Sequence, residues 1–233
     1  MVAACNSSAL DLAMYGDLLQ SYAPAGKVAY AELKKNDFAR LKKLYRSLDR
    51  EDLKTLDTPN GELAFWMNAY NVVVLYEATK VYPARHIGGA DKHFFKVKHP
   101  VAGRNLSLDE IEKHIREKFR DARIHFGVNC GAASCPLLAT QPYTAENVKT
   151  KLDLNATLFI NDDANVKFDE KTGELRLSEI FKWYADDFVR DAGSVEKYLA
   201  RYLSEEKQKL LGSRQWKLAY IPYDWSPNAA GLR

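Results

Sequence analysis

Between Glu62 and Val81 the chain carries a helix-length stretch in which Phe65, Trp66, Ala69, Val72, Val73 and Tyr76 wrap most of the circumference. A helix that is apolar on every side has no face to give to water, so it belongs in the middle of a fold with other elements packed around it. It is not a bilayer span. Its longest apolar run, around Val72 to Leu75, is interrupted by Asn68, Asn71 and Glu77 and falls short of the roughly 20 residues a membrane requires.

What surrounds this helix can be read from periodicity. Residues 8–56 are helical, with Leu10, Leu18 and Leu19 and then Phe38, Leu41, Leu44, Tyr45 and Leu48 recurring at helical spacing. Phe94 to His99 and Asn105 to Ser107 form a hairpin about a Pro100–Arg104 turn. Ser107 with Glu110 makes a capping box that opens a helix to about Phe119. A strand holding His125 follows, then a helix from Thr144 to about Ile160. Val166–Phe168 and Glu174–Leu177 alternate across a second hairpin. Ser178 caps a helix through Phe188, the chain is mainly helical from Val195 to Leu211, and Trp216 to Tyr220 is a last strand. Helices cluster first and hairpins later, which predicts an α+β architecture: a helical N-terminal part and a central apolar helix packed on a small antiparallel sheet. With 233 residues, 46% of them hydrophobic, the chain can bury one substantial core. The predicted organisation is a flexible tail over 1–8, a helical extension over 9–56 and the main domain over 57–233.

Charge excludes some functions. The 34 basic and 31 acidic residues are mixed in short clusters with a net charge of +3, which is no nucleic-acid footprint. His86, His93 and His99 are six or seven residues apart without a close carboxylate or thiolate, so no metal-ligand set is predicted, nor any cofactor.

Chemistry concentrates in Ile124-His125-Phe126-Gly127-Val128-Asn129-Cys130-Gly131-Ala132-Ala133-Ser134-Cys135-Pro136, which holds two of the three cysteines. A free thiol has a pKa of about 8.5, so it needs an imidazole or a positive field to be an effective nucleophile. The sharpest reading makes Cys130 the nucleophile, His125 its base and Glu112, on the preceding helix, the carboxylate that orients the base. Residues five apart on a regular strand face opposite ways, so this requires a bulge at Gly127 or a reversal at Gly131. Cys135 is the second candidate, brought back by the turn and followed by Pro136, which suits the first position of a short helix. The bland reading is a local Cys130–Cys135 disulfide or two buried thiols, with Glu112 paired to Arg116 four residues on. Asn68 and Asn71 share a helix face and either supply an oxyanion donor or tie loops to the core. Asn129 and Ser134, beside the cysteines, complete the candidate binding residues. Trp183, Tyr184, Tyr223 and Trp225 line a cleft or fill the core, and Asp224 pins the closing turn through its own backbone.

Five motifs in order extend these readings: Phe65-Trp66-Met67-Asn68-Ala69-Tyr70-Asn71, Ser107-Leu108-Asp109-Glu110-Ile111-Glu112, the Ile124–Pro136 run, Leu177-Ser178-Glu179-Ile180-Phe181-Lys182-Trp183-Tyr184 and Tyr223-Asp224-Trp225-Ser226. Together they resemble the DUF547 family over roughly residues 55–228, which makes 57–233 a DUF547-like domain. The resemblance implies a fold related to papain-like cysteine peptidases and transglutaminases, and a thiol site. One departure is visible: family members often carry Glu-His directly after the isoleucine of the Ser-Leu-Asp helix, whereas here it is Ile111-Glu112-Lys113-His114, so His114 is a poor candidate for a family role.

At the N-terminus, Val2-Ala3-Ala4-Cys5-Asn6-Ser7-Ser8 resembles the end of a bacterial lipoprotein signal, with Cys5 as lipid acceptor. That places the protein in the cell envelope, attached to a membrane only through Cys5, with a cytoplasmic location as the alternative. An oxidising compartment would let Cys130 and Cys135 pair. Three functions follow as expectations: a thiol-dependent hydrolase or acyl transferase acting on peptide or amide bonds, a module that binds a small peptide or a thiol such as glutathione, and an envelope interaction domain.

Overall fold

The computed structural model describes residues 10–87 and 93–231. Cys5 and the expected tail lie outside the described residues. The central helix, α4 (Pro59–Val81), begins where Thr58 Oγ1 accepts from Gly61 N, with Pro59 in the first turn, and every residue from Leu63 to Leu75 is buried. Around it pack α2 (Tyr30–Asn36), α3 (Phe38–Ser47), α6 (Leu108–Phe119) and α7 (Val148–Asn161), while α1 (Leu12–Tyr22) lies on α3. The N-terminal helices therefore share one apolar cluster with α4: Leu18, Leu33 and Leu44 bury into the same body as Trp66 and Val73.

A second apolar cluster forms around Phe126, Phe159, Phe181, Phe188 and Tyr198. It covers one face of a sheet made of β3 (Val166–Asp169), β4 (Glu174–Ser178) and β5 (Lys217–Ile221). The β3–β4 hairpin is antiparallel as predicted, but β5 pairs with β4 in parallel, Leu175 opposite Leu218. The expected antiparallel sheet is corrected on this point, and the connection explains it. Between β4 and β5 the chain runs through α8 (Ile180–Trp183), α9 (Ala185–Ala192), α10 (Val195–Ala200) and α11 (Glu205–Gly212), a crossover long enough to bring the next strand back in the same direction. The first hairpin is tighter than predicted. Residues His93–Lys96 are the short helix α5, and β1 (Lys98–Val101) joins β2 (Arg104–Ser107) through Ala102-Gly103, both at positive φ as a two-residue turn demands. The Ser107–Glu110 capping box is present as read from the sequence.

The expected strand at His125 is instead a 3-10 helix, Ala122–Phe126. A strand would send alternate residues to opposite faces, whereas this turn distributes consecutive ones between two cores. Ile124 enters the α4 cluster, Phe126 enters the second cluster, and His125 stays at the seam between them. Likewise α7 gives Leu152 to one cluster and Phe159 to the other. At this seam Gly127 is a close-packing position: a Cβ there would sit 2.5 Å from Met67 Cε, 2.7 Å from Leu152 Cδ2 and 2.9 Å from Tyr143 Oη. Gly127→Ala is expected to destabilise the protein by about 1–3 kcal/mol, the cost of overpacking, measured as a lowered urea midpoint with an unchanged slope.

Candidate functional site

Asparagine amides hold the cysteine turn and the segment that follows it. Asn71, on α4, accepts from Asn129 N at 2.8 Å and donates to Gly127 O at 3.0 Å, so its amide stands in for a neighbouring strand. Asn68, one turn earlier, does the same for Tyr143, with contacts of 2.8 and 2.9 Å. Asn129 Oδ1 then accepts from Gly131 N at 2.9 Å while its Nδ2 donates to Pro136 O at 2.6 Å, closing the loop that carries the cysteines. Gly131 adopts φ +84°, the left-handed backbone that reverses the chain. Both ends of the Asn68 and Asn71 amides are committed to backbone, so of the two roles expected for them the structure assigns loop anchoring. Ser134 is likewise structural, its Oγ accepting from Asp224 N at 2.9 Å. Asp224 in turn accepts from Ser226 N, the local turn predicted for it. No helix follows Pro136, whose carbonyl serves Asn129 instead.

Cys130 and Cys135 are joined as a disulfide. The expectation of a free nucleophilic Cys130 is corrected for this state: a thiolate exists here only after reduction. Tyr223, from the closing segment, sits over both sulfurs, its Oη 3.2 Å from Cys130 Sγ and 3.1 Å from Cys135 Sγ. Cys130 N–H donates to Cys135 Sγ at 2.8 Å. The segment that brings Tyr223 here also bonds Ala133 N to Ser226 O and Asn228 N to Gly131 O, lacing the cysteine turn in place.

His125 is held by a carboxylate, but not by Glu112. Its Nε2 lies 2.8 Å from Asp187 Oδ2; a carboxylate only accepts, so this nitrogen carries the proton. The same Asp187 oxygen accepts from Arg116 Nε at 2.8 Å, and the other accepts from Arg190 at 2.6 Å. Burial raises the Asp187 pKa, but hydrogen bonds from His125, Arg116 and Arg190 outweigh it and hold the carboxyl well below the usual range. Burial also lowers the His125 pKa despite the aspartate beside it, so the ring is neutral at pH 7. Its Nδ1 is buried and has no hydrogen-bond partner. The ring is clamped flat against Tyr184, centroids 3.9 Å apart. Glu112 bonds to Tyr184 rather than to the imidazole, and burial raises its pKa against that bond and the nearby Arg116. The predicted orienting carboxylate is thus one step removed, acting on the ring that His125 stacks upon.

These groups surround a cavity of about 280 Å³ whose wall includes Cys130, Cys135, His125 and Glu112, closed by Trp183, Tyr184, Tyr223 and Trp225. The aromatic residues take the cleft role rather than the purely internal one. Asp187 was not legible in the sequence, because 62 residues separate it from His125 and a first-turn acid on a short helix normally answers the helix dipole. Tyr223 was visible only as a cleft aromatic. Among the described residues no group of three or more His, Cys, Asp or Glu could hold a metal ion. No described helix is long and apolar enough to cross a membrane.

Residues 53–160 match the family described as "Protein of unknown function, DUF547". The chain carries a DUF547 region. No curated protein matches the chain, and no solved structure does. The DUF547 match covers α4, the first hairpin, α6 and the cysteine turn; Asp187 and Tyr223 come from beyond it.

Asp187→Asn is expected to destabilise the fold by roughly 3–5 kcal/mol, since it leaves two arginines facing His125 without their anion. The pH dependence has a definite sign. A carboxyl with a depressed folded pKa contributes stability above about pH 4 that is lost as it protonates, and a buried neutral histidine contributes stability above about pH 6.5 that is lost below it. Wild-type stability should therefore fall as pH drops from 6.5 through 4, with a shallower loss below pH 4 in Asp187→Asn, as read by urea unfolding at each pH.

Proposed function

We propose that the DUF547 region is part of a thiol-dependent hydrolase or acyl transferase, active on a peptide or amide bond when the Cys130–Cys135 pair is reduced. The observation that carries this reading is that both sulfurs and an imidazole anchored by aspartate on one nitrogen, with the other unpartnered, line one cavity. The donors on the sulfurs favour Cys135 as the thiolate over Cys130, the residue preferred from sequence. Cys135 Sγ alone receives the Cys130 N–H, while the Tyr223 hydroxyl reaches both sulfurs, and a donor to an anion lowers its pKa.

The chemistry begins with an external thiol or phosphine reductant, which opens the disulfide and leaves two thiols. His125 Nδ1 takes the proton of the attacking thiol. The sulfur then bonds to the substrate carbonyl carbon, the C–N bond breaks, and the proton passes from the imidazolium to the departing amine. Water completes hydrolysis by displacing the sulfur from the thioester; an amine in its place completes transfer. The reading includes a papain-like or transglutaminase-like relationship for the fold, on the ground of the family resemblance, and an envelope location, which an oxidised cysteine pair fits.

The oxidised pair favours a second reading, a binding module for a small thiol. There a thiolate attacks one cysteine sulfur, the S–S bond breaks, and the other cysteine leaves as thiolate.

Incubating the reduced full chain with a peptide library distinguishes the two. The proposal expects cleavage or acyl transfer only after reduction, falling roughly 100-fold or more in Cys135→Ala and in His125→Ala. Absence of turnover in the reduced protein contradicts it, and a mixed disulfide formed when the oxidised chain is incubated with reduced glutathione, with no turnover after reduction, selects the binding module.

A further inference from the structure

The cavity is walled largely by rings: Tyr70, Phe95, Trp183, Tyr184, Tyr223 and Trp225 line it, together with the aliphatic Val128 and Ile180. Trp183 is the least expected of them. Its helix neighbours Ile180 and Phe181 are buried in the second apolar cluster, whereas Trp183 joins neither cluster and is 43% exposed. Its ring meets only the other cavity rings, Tyr223 at 4.8 Å and Trp225 at 5.9 Å between centroids. A large apolar side chain left half in water beside two more rings is not explained by core packing and marks a contact surface. The opposite rings are fixed by their backbone: Trp225 O accepts from Ile87 N at 2.8 Å, Asp224 O from Ser134 N at 3.2 Å and Ser226 O from Ala133 N at 2.7 Å. The surface is therefore in place before a ligand arrives, and binding requires little ordering.

Charge on this wall is already answered. Glu112 is bonded to Tyr184 and faces the Arg116 charge, Asp109 has a partner of its own, and the Arg116 guanidinium is bonded to Asp187. A charged group entering here would give up its water and meet no free counter-charge. Ring faces also attract cations, but the ring beside Glu112, that of Tyr184, already has the Arg116 guanidinium 4.9 Å from its centroid.

We propose that the cavity selects its substrate by an uncharged aromatic side chain, which packs against Trp183, Tyr223 and Trp225 while the adjoining carbonyl reaches the sulfurs and His125 Nδ1. This rests on the site reading above and names the class of substrate it acts on. Offset and tilted ring pairs give such a side chain more than its buried area alone. The volume agrees: about 280 Å³ lies just under the roughly 300–1,000 Å³ of sites for drug-sized ligands and suits one side chain with its peptide unit.

The test is a titration of the full chain, followed by tryptophan fluorescence, with 2-phenylethanol, 2-phenylethylamine and 3-phenylpropionate, three probes of similar size and different charge. The alcohol is expected to bind saturably and at least about tenfold more tightly than either the amine or the acid. Trp183→Ala should weaken the alcohol about fivefold or more, and Trp183→Phe should recover most of that loss. Since Trp183 belongs to neither core, both variants should keep the wild-type urea midpoint, and Trp225 still reports binding. Should Trp183→Ala fail to fold, the ranking of the three probes on the wild type and the Trp183→Phe titration decide the matter. No saturable binding of the alcohol, an amine or acid that binds as tightly, or an affinity untouched by Trp183→Ala in a folded protein overturns the proposal. The titration needs no reduced thiol. A preference for the uncharged probe without turnover therefore sinks only the enzymatic reading, and turnover without that preference sinks only this one. In the turnover assay, cleaved peptides should share an aromatic residue at one fixed position from the scissile bond, and charged residues accepted equally at every position would contradict the assignment.

Discussion

The site depends on one buried carboxylate. Asp187 gathers the His125 imidazole, the Arg116 guanidinium and the Arg190 guanidinium, and so ties the 3-10 turn, α6 and α9 into one junction at the seam between two apolar clusters. None of these partners is dispensable in physical terms. A buried anion without donors is expensive, and two buried-edge arginines without an anion repel each other. The junction also fixes which imidazole nitrogen is protonated, leaving Nδ1 as the acceptor, so a choice made for packing determines what chemistry the ring can perform.

The large-scale fold was legible wherever local signals agree with tertiary structure. The all-round apolar α4, the Ser107–Glu110 box and the alternation of Val166–Phe168 against Glu174–Leu177 each encode their own geometry within a dozen residues. The misreadings occur where a local pattern is outvoted. Ile124-His125-Phe126 reads as a strand because β-branched and aromatic residues alternate with a polar one, yet two cores pull Ile124 and Phe126 apart and a 3-10 turn satisfies both. The parallel β4–β5 pairing depends on a crossover of four helices, which no window of the sequence contains.

At the site, the cysteine turn announces itself through its glycine and its thiols, and the pairing of Cys130 with Cys135 was one of the readings available from their spacing. The partner of His125 was not. Glu112 is nearer in sequence and on an adjacent helix, but α6 presents Arg116 to the imidazole's carboxylate and Glu112 to Tyr184. The result is a layered arrangement in which Asp187 fixes the tautomer of His125, burial keeps the ring neutral, and Glu112 engages the Tyr184 ring beneath it. Asn68 and Asn71 illustrate the opposite lesson: amides on a buried helix look like oxyanion donors in a sequence, and turn out to be the splints that hold loops without strands.

The central claim is that a sulfur of the reduced pair shares its proton with an aspartate-held imidazole. The direct measurement is the thiol pKa of the reduced protein with Cys5 replaced by serine, followed by thiolate absorbance near 240 nm across pH, in wild type and in His125→Asn. The account predicts one thiol ionising at least about one unit below the reference of about 8.5 and returning toward it when the imidazole is removed. Two thiols at or above the reference value, indifferent to His125, would contradict it.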